Sequence, residues 1–227
     1  MTECFYIPLK LKNMKLAETT NNRRDFIRTS GLLGAGLLMP GINFAATTPI
    51  SDGENIHQFG KREGYTNQIS FLVSMMDWMR WVVLGSVEGL SQKDIDFLLD
   101  EKSNSVGAML MHLAGTERYY QIKTLSGISK SDLSFGVSGA EWDAASSLGD
   151  KGRQMFKGKP LSYYLDKLAE VRGFSLKELK NREDNWLMES TKGFDGQLTN
   201  NYCKWFHVVE HESNHNGQIK FLKSRVS

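Results

Sequence analysis

The chain has 227 residues, 40% of them hydrophobic and 24% charged, with a formal charge of +2, which suits one compact domain plus an appendage. Of its 28 Lys/Arg and 26 Asp/Glu, six and three fall in residues 1–46, leaving 22 against 23 in the remainder. The basic excess therefore belongs to the first segment, the rest carries no nucleic-acid-binding stripe, and no stretch approaches the ~20 apolar residues of a membrane span.

Residues 1–46 read as a leader. Arg23 and Arg24 stand directly before Asp25-Phe26-Ile27-Arg28, and a short apolar run softened by Gly34 and Gly36 follows. That order resembles a twin-arginine export signal and implies a periplasmic destination. The cleavage site is weak, with Asn43 or Phe44 where a small residue is wanted, and Met14 gives a more usual start for such a signal than Met1. Of the two cysteines, Cys4 lies in the leader and Cys203 far beyond it. An exported chain without an internal disulfide draws its stability from packing or from a metal. The twin-arginine route carries folded proteins, which suits a protein that takes up its metal before export.

Residues 47–63 are polar and read as a linker to a domain over 64–227. Ile69, Leu72, Val73, Met76, Met79, Val83 and Val87 recur at helical spacing and predict a first helix over 64–90. Ser91 and Asp94 form a capping-box pattern for a short helix ending near Leu99. Asn104 or Ser105 can cap a helix over 106–125. Residues 127–159 are rich in Gly and Ser, a long connection with a short helical piece near 140–156. Pro160 precedes a helix over 161–182, residues 183–198 read as a structured loop around Trp186, and a last helix spans 199–224. No β-alternation of useful length occurs. The expected fold is all-α, a four-helix bundle with one long crossover connection.

Three of the five histidines fall close together, in His207-Val-Val-Glu-His211-Glu-Ser-Asn-His215. Residues four apart on a helix are offset by ~40° and ~6 Å, so two such imidazoles can grip one ion. His207 and His215 stand ~12 Å apart along the axis, too far to share it. One ion takes 207/211 or 211/215, and a third ligand must come from elsewhere. His112, set among Met109, Leu110, Met111 and Leu113, is the natural candidate, because a buried imidazole without a partner is costly. The string from His211 to His215 also matches the His-Glu-x-x-His spacing of zinc proteases. Such a protease takes a further ligand downstream, none of residues 216–227 is a histidine, and no sheet is expected.

The stretch Met109-Leu-Met-His112-Leu-Ala-Gly-Thr-Glu-Arg-Tyr-Tyr, together with the histidine string ending His215-Asn-Gly-Gln-Ile, resembles the DinB-like (DinB/YfiT) superfamily of metalloenzymes over residues 65–225. The resemblance implies a four-helix bundle of up-down-down-up course. It also implies a three-histidine site made of His112, His211 and His215, holding zinc, nickel or iron, and the activity of a hydrolase or thiol-dependent transferase on a small-molecule substrate. The rival reading is a non-catalytic metal-binding or structural bundle. The family often carries an arginine directly after the last ligand, where this chain has Asn216.

Three imidazoles leave a coordination position open for water or substrate. His207, Glu117, Glu210 and Asp77 are candidates to orient the ligands from behind. Glu212 points ~100° away from His211, which counts against its acting as a base. Met75, Met76, Met79, Met109 and Met111 read as adaptable core filling. Trp78, Trp81 and Trp205 read as core or homodimer-interface residues. Cys203, ~12 Å from His211, is not expected to ligate.

Overall fold

Apolar side chains spaced three and four apart turn residues 67–87 into a helix with one buried face: α1 (Asn67–Val87) covers Ile69, Leu72, Met76, Val83 and Val87. The computed structural model describes residues 55–193 and 195–226. The leader and the first part of the linker lie outside the described residues. Ser91 caps α2 (Gln92–Ile95) through a reciprocal bond with Asp94. The helix ends at Ile95 rather than near Leu99, since Leu98 and Leu99 are exposed and give a further turn nothing to pack on.

Ser105, not Asn104, caps α3 (Val106–Thr124), accepting from the Ala108 amide. The long connection holds two helices, α4 (Gly139–Ser147) and α5 (Gly149–Met155), in place of the single piece expected. The break falls at Leu148 and Gly149, whose φ values of +52° and +58° no right-handed helix can contain. Pro160 then leads into α6 (Leu161–Leu179).

The segment expected as a loop is more ordered than its sequence suggests. It forms α7 (Asp184–Met188) and a small hairpin in which β1 (Ser190–Lys192) runs antiparallel to β2 (Leu198–Asn200), with Thr191 opposite Thr199. Strands of three residues are too short to show alternation. The chain passes straight from β2 into α8 (Asn201–Val226). Among the described residues the protein is thus predominantly helical, with two short strands, and no described helix is long and apolar enough to cross a membrane.

The four long helices pack as neighbours: α1 on α8, α8 on α3, α3 on α6, and α6 more thinly on α1. Two apolar clusters fill the interior. One includes Val83, Val87, Met109, Leu113, Val171 and Ile219; the other includes Ile69, Met76, Tyr120, Leu176, Trp205 and Val208. Each long helix passes from one cluster to the other, and each places a charged residue at the passage: Arg80, Glu117, Arg172 and Glu212, all buried. Trp205 belongs to the core, whereas Trp78 and Trp81 keep much of their surface in solvent.

Candidate metal centre

The buried stripe of α8 runs through Trp205, Val208, His211, Glu212, His215, Asn216, Ile219 and Leu222. It keeps helical spacing throughout but turns polar in its middle. A helix pays a desolvation penalty for such a stripe unless each polar group finds a partner, and here the partners come from the facing helices.

His211 and His215 stand on one face of α8 and meet His112 of α3. Their ring centroids lie 4.9 Å (112–211), 5.0 Å (112–215) and 4.7 Å (211–215) apart. One nitrogen from each of the three lies within 4.8 Å of the others. The His112 and His211 Nε2 atoms are 2.8 Å apart.

The protonation of this cluster is set by its surroundings. His112 Nδ1 lies 2.7 Å from the carbonyl oxygen of Ala145. A carbonyl can only accept, so Nδ1 carries the proton and Nε2 turns its lone pair toward His211 and His215. That carbonyl is available because of the break at Leu148. In a continuous α-helix the Gly149 amide would bond Ala145 oxygen; instead it donates to the Asn104 side chain at 2.9 Å. His215 Nδ1 meets Gln218 Oε1 at 3.2 Å, which leaves its Nε2 for the cluster.

Burial lowers all three imidazole pKa values, His211 to about 2 and His215 to about 4. The neighbouring imidazoles push His211 and His215 further in the same direction. At neutral pH the three rings are therefore uncharged nitrogen donors. An all-imidazole set of this kind fits a divalent transition metal such as zinc, nickel or iron.

The outer histidine stands one turn away. His207 Nδ1 lies 2.8 Å from the Tyr120 hydroxyl, its Nε2 3.8 Å from Glu210, and its ring 5.1 Å from that of His211. Burial raises the Tyr120 pKa to about 12. His207, Glu210 and His211 form a second, more exposed group with cation-binding spacing.

Glu117 and Asp77 go elsewhere. Glu117 accepts from Arg172 Nε at 2.9 Å and from Arg80 Nη2 at 3.0 Å. Against the upward push of burial, these two guanidinium groups keep its pKa below the usual carboxylate value. Glu212 accepts from Arg80 Nη2 at 2.6 Å and from Arg172 Nη2 at 2.8 Å, turned away from the imidazoles as helix geometry requires. Asp77 is buried beside this network, and burial raises its pKa to about 6 against the pull of Arg172, Arg62 and Arg80. Of the carboxylates that sequence placed behind the imidazoles, Glu117 ties helices together, Asp77 lies buried beside that network and Glu210 stands near His207, while the group directly behind His112 is a backbone carbonyl.

Sequence reasoning missed Arg80 and Arg172. The signal was present: each is a charged residue on a stripe of apolar positions, Arg80 four residues after Met76 and Arg172 four after Leu168. Asn216 is buried, with no hydrogen-bond partner for its Oδ1 among the described residues. Cys203 is a free, exposed thiol.

The family model described as mycothiol-S-transferase matches residues 71–227, a span that takes in all three clustered histidines and the whole charged network. No curated protein matches the chain. The family match extends over well more than half of the sequence, and the chain belongs to the mycothiol-S-transferase family, a DinB/YfiT-like family.

Proposed function

We propose that the protein is a metal-dependent thiol S-transferase in which His112, His211 and His215 hold one divalent cation (zinc, nickel or iron) and a thiol of the mycothiol kind is the nucleophile. The observation that carries this reading is the convergence of three neutral imidazoles from two helices, their nitrogens within 4.8 Å of one another. The family match supports transfer over hydrolysis.

Held by His112, His211 and His215, the cation would supply Lewis acidity and lower the pKa of a thiol. The chain's own residues do the rest. Ala145 holds the proton at His112 Nδ1, so that Nε2 stays a donor pair. Burial keeps His211 and His215 uncharged. The Arg80, Glu117, Arg172 and Glu212 network fixes α8 against α1, α3 and α6, which holds the two imidazoles of α8 opposite His112. The transfer forms one sulfur–carbon bond, breaks the acceptor's bond to its leaving group, and releases the thiol proton to solvent.

The fold reading that accompanies this is a four-helix bundle of up-down-down-up course. In its support, α1 and α8 run from the Trp205 cluster to the Val83 cluster, and α3 and α6 run the opposite way. The parallel pair α3 and α6 then needs the long crossover between them. Export to the periplasm by the twin-arginine route rests on the order of residues in the leader. A reporter fused behind residues 1–46 should be exported, and should stay in the cytoplasm when Arg23 and Arg24 are both changed to Lys.

Metal analysis of untagged protein, with His112→Ala and His211→Ala alongside, tests the site. About one ion per chain is expected, lost in both variants together with transfer of a thiol to monobromobimane. Stoichiometric metal that survives both substitutions would sink the three-histidine reading. Metal that is lost with a drop in melting temperature, from a protein that never shows transfer, would favour an ion that only staples α3 to α8.

A further inference from the structure

A cavity of about 550 Å³ opens between α1 and α6, lined by Arg62, Val73, Asp77, Leu176, Lys177 and Lys180 among others and by none of the histidines. Its volume is in the range of small-molecule sites. Asp77 lines it and is only 4% exposed, yet its Oδ1 has no hydrogen-bond partner among the described residues. A buried acceptor left unpaired destabilises a fold, so its retention calls for a reason.

The other carboxylates nearby are committed. Glu117 and Glu212 close a ring with Arg80 and Arg172, two positive charges against two negative. Asp77 lies next to that ring and makes no ion pair with it.

The mouth of the cavity has the opposite character. Lys177 in the last turn of α6 and Lys180 at its C-cap stand one turn apart, exposed, with no carboxylate partner among the described residues. The stem of Lys180 lies 3.7 Å from the position of a Cβ on Gly64, and its ammonium stands 5.4 Å over the Tyr65 ring, which fixes it at the rim. Glu63 is the one acidic group at the mouth. Between floor and rim, Val73 and Leu176 offer apolar wall. From the inside outward, the cavity presents the Asp77 acceptor with the Arg62 guanidinium near it, a hydrocarbon surface and a pair of ammonium groups.

We propose that this cavity is a second ligand site, for a small zwitterion whose ammonium group bonds Asp77, whose methylene stem lies on Val73 and Leu176, and whose carboxylate meets Lys177 and Lys180. The site is separate from the metal centre and does not depend on the thiol-transfer reading. An anion alone would leave the Asp77 carboxylate unpaired, and an amine alone would leave the two lysines unused.

Calorimetric titration of the full chain with 4-aminobutyrate, 6-aminohexanoate, n-butylamine and butyrate tests the assignment. At least one amino acid is expected to bind saturably, tenfold or more tighter than butylamine or butyrate. Asp77→Asn should weaken the amino acid and butylamine by tenfold or more, and Lys180→Gln should weaken the amino acid while leaving butylamine unchanged. Should Asp77→Asn fail to fold, the exposed Lys180→Gln decides the question. Absence of saturable binding for both amino acids, affinity indifferent to Lys180→Gln, or butylamine or butyrate binding as tightly as the amino acids would each overturn the proposal.

Discussion

Arg80 and Glu212, 132 residues apart in sequence, meet twice through a single carboxylate oxygen, Nη2 at 2.6 Å and Nε at 3.0 Å, with both side chains out of contact with solvent. Removing one member of such a pair strands the other charge in the interior. Glu212→Gln and Arg80→Met are each expected to destabilise the fold by about 3–5 kcal/mol. Urea denaturation of the two single variants and the double variant would read the coupling directly. Additive effects would show that the pair contributes no more than its separate side chains.

Metal-free protein should lose stability as pH falls below about 6.5. His211 and His215 have folded pKa values of about 2 and about 4, below the unfolded value near 6.5. Between those limits the unfolded chain binds more protons, so each imidazole lowers stability by about 1.4 kcal/mol per pH unit of acidification. Asp77 works the other way. Its folded pKa is raised from 3.8 to about 6, so across that window the folded state binds the extra proton and gains from acid. Asp77 therefore offsets part of the imidazole effect, and between pH 6 and 4 the decline should be gentler than the two imidazoles alone would give. In Asp77→Asn the decline over that range should steepen. Denaturation midpoints across pH 4–7.5, in the presence of chelator, would check both signs.

The two histidine groups predict opposite outcomes for His207. With the ion on His112, His211 and His215, His207→Ala and Glu210→Gln retain one equivalent of metal and His215→Ala loses it. The reverse pattern, measured by elemental analysis, would move the ion to the outer group of His207, Glu210 and His211.

Asn104 should influence metal affinity without touching the ion. Its side chain takes the Gly149 amide that would otherwise bond Ala145 oxygen. In Asn104→Ala that amide is free to compete for the carbonyl holding His112 Nδ1. Affinity is expected to fall by roughly tenfold, the lower end for groups that orient metal ligands from behind. Chelator competition on purified protein would measure it, and an unchanged affinity would show that the carbonyl is held by other means.

Packing around Gly107 leaves no space for a methyl group. A Cβ there would stand 2.6 Å from the hydroxyl and 2.7 Å from the ring of Tyr164, a buried residue whose hydroxyl bonds the Phe156 carbonyl. Gly107→Ala should destabilise by about 1–3 kcal/mol, while Gly173→Ala, with open space around it, should not. Thermal melts of the two variants compare them.

The long helices were legible because Ile69, Leu72, Met76 and their counterparts repeat at helical spacing. The pair His211 and His215 was legible because four residues bring side chains to one face. Legibility failed where structure depends on contacts distant in sequence. The hairpin pairing Thr191 with Thr199 is too short to leave a pattern. Glu117 and Asp77 looked like supports for the imidazoles because carboxylates often are. Which group a buried carboxylate meets depends on the facing helix, and here α1 and α6 present guanidinium groups. The support that His112 does have, a main-chain carbonyl, carries no residue identity at all.

The interruption between α4 and α5 has a bearing on how such a centre could be adjusted. A Leu at φ +52° is strained, at an expense of order 1–3 kcal/mol, and the strain withholds one amide from one carbonyl. Relaxing it would return that carbonyl to its own helix and free a ring on another helix to change tautomer. The donor strength of a nitrogen in α3 is thus governed by a dihedral angle in the crossover. Variation at residues 148 and 149, neither of which offers a ligand atom, would tune the centre while leaving the three histidines untouched.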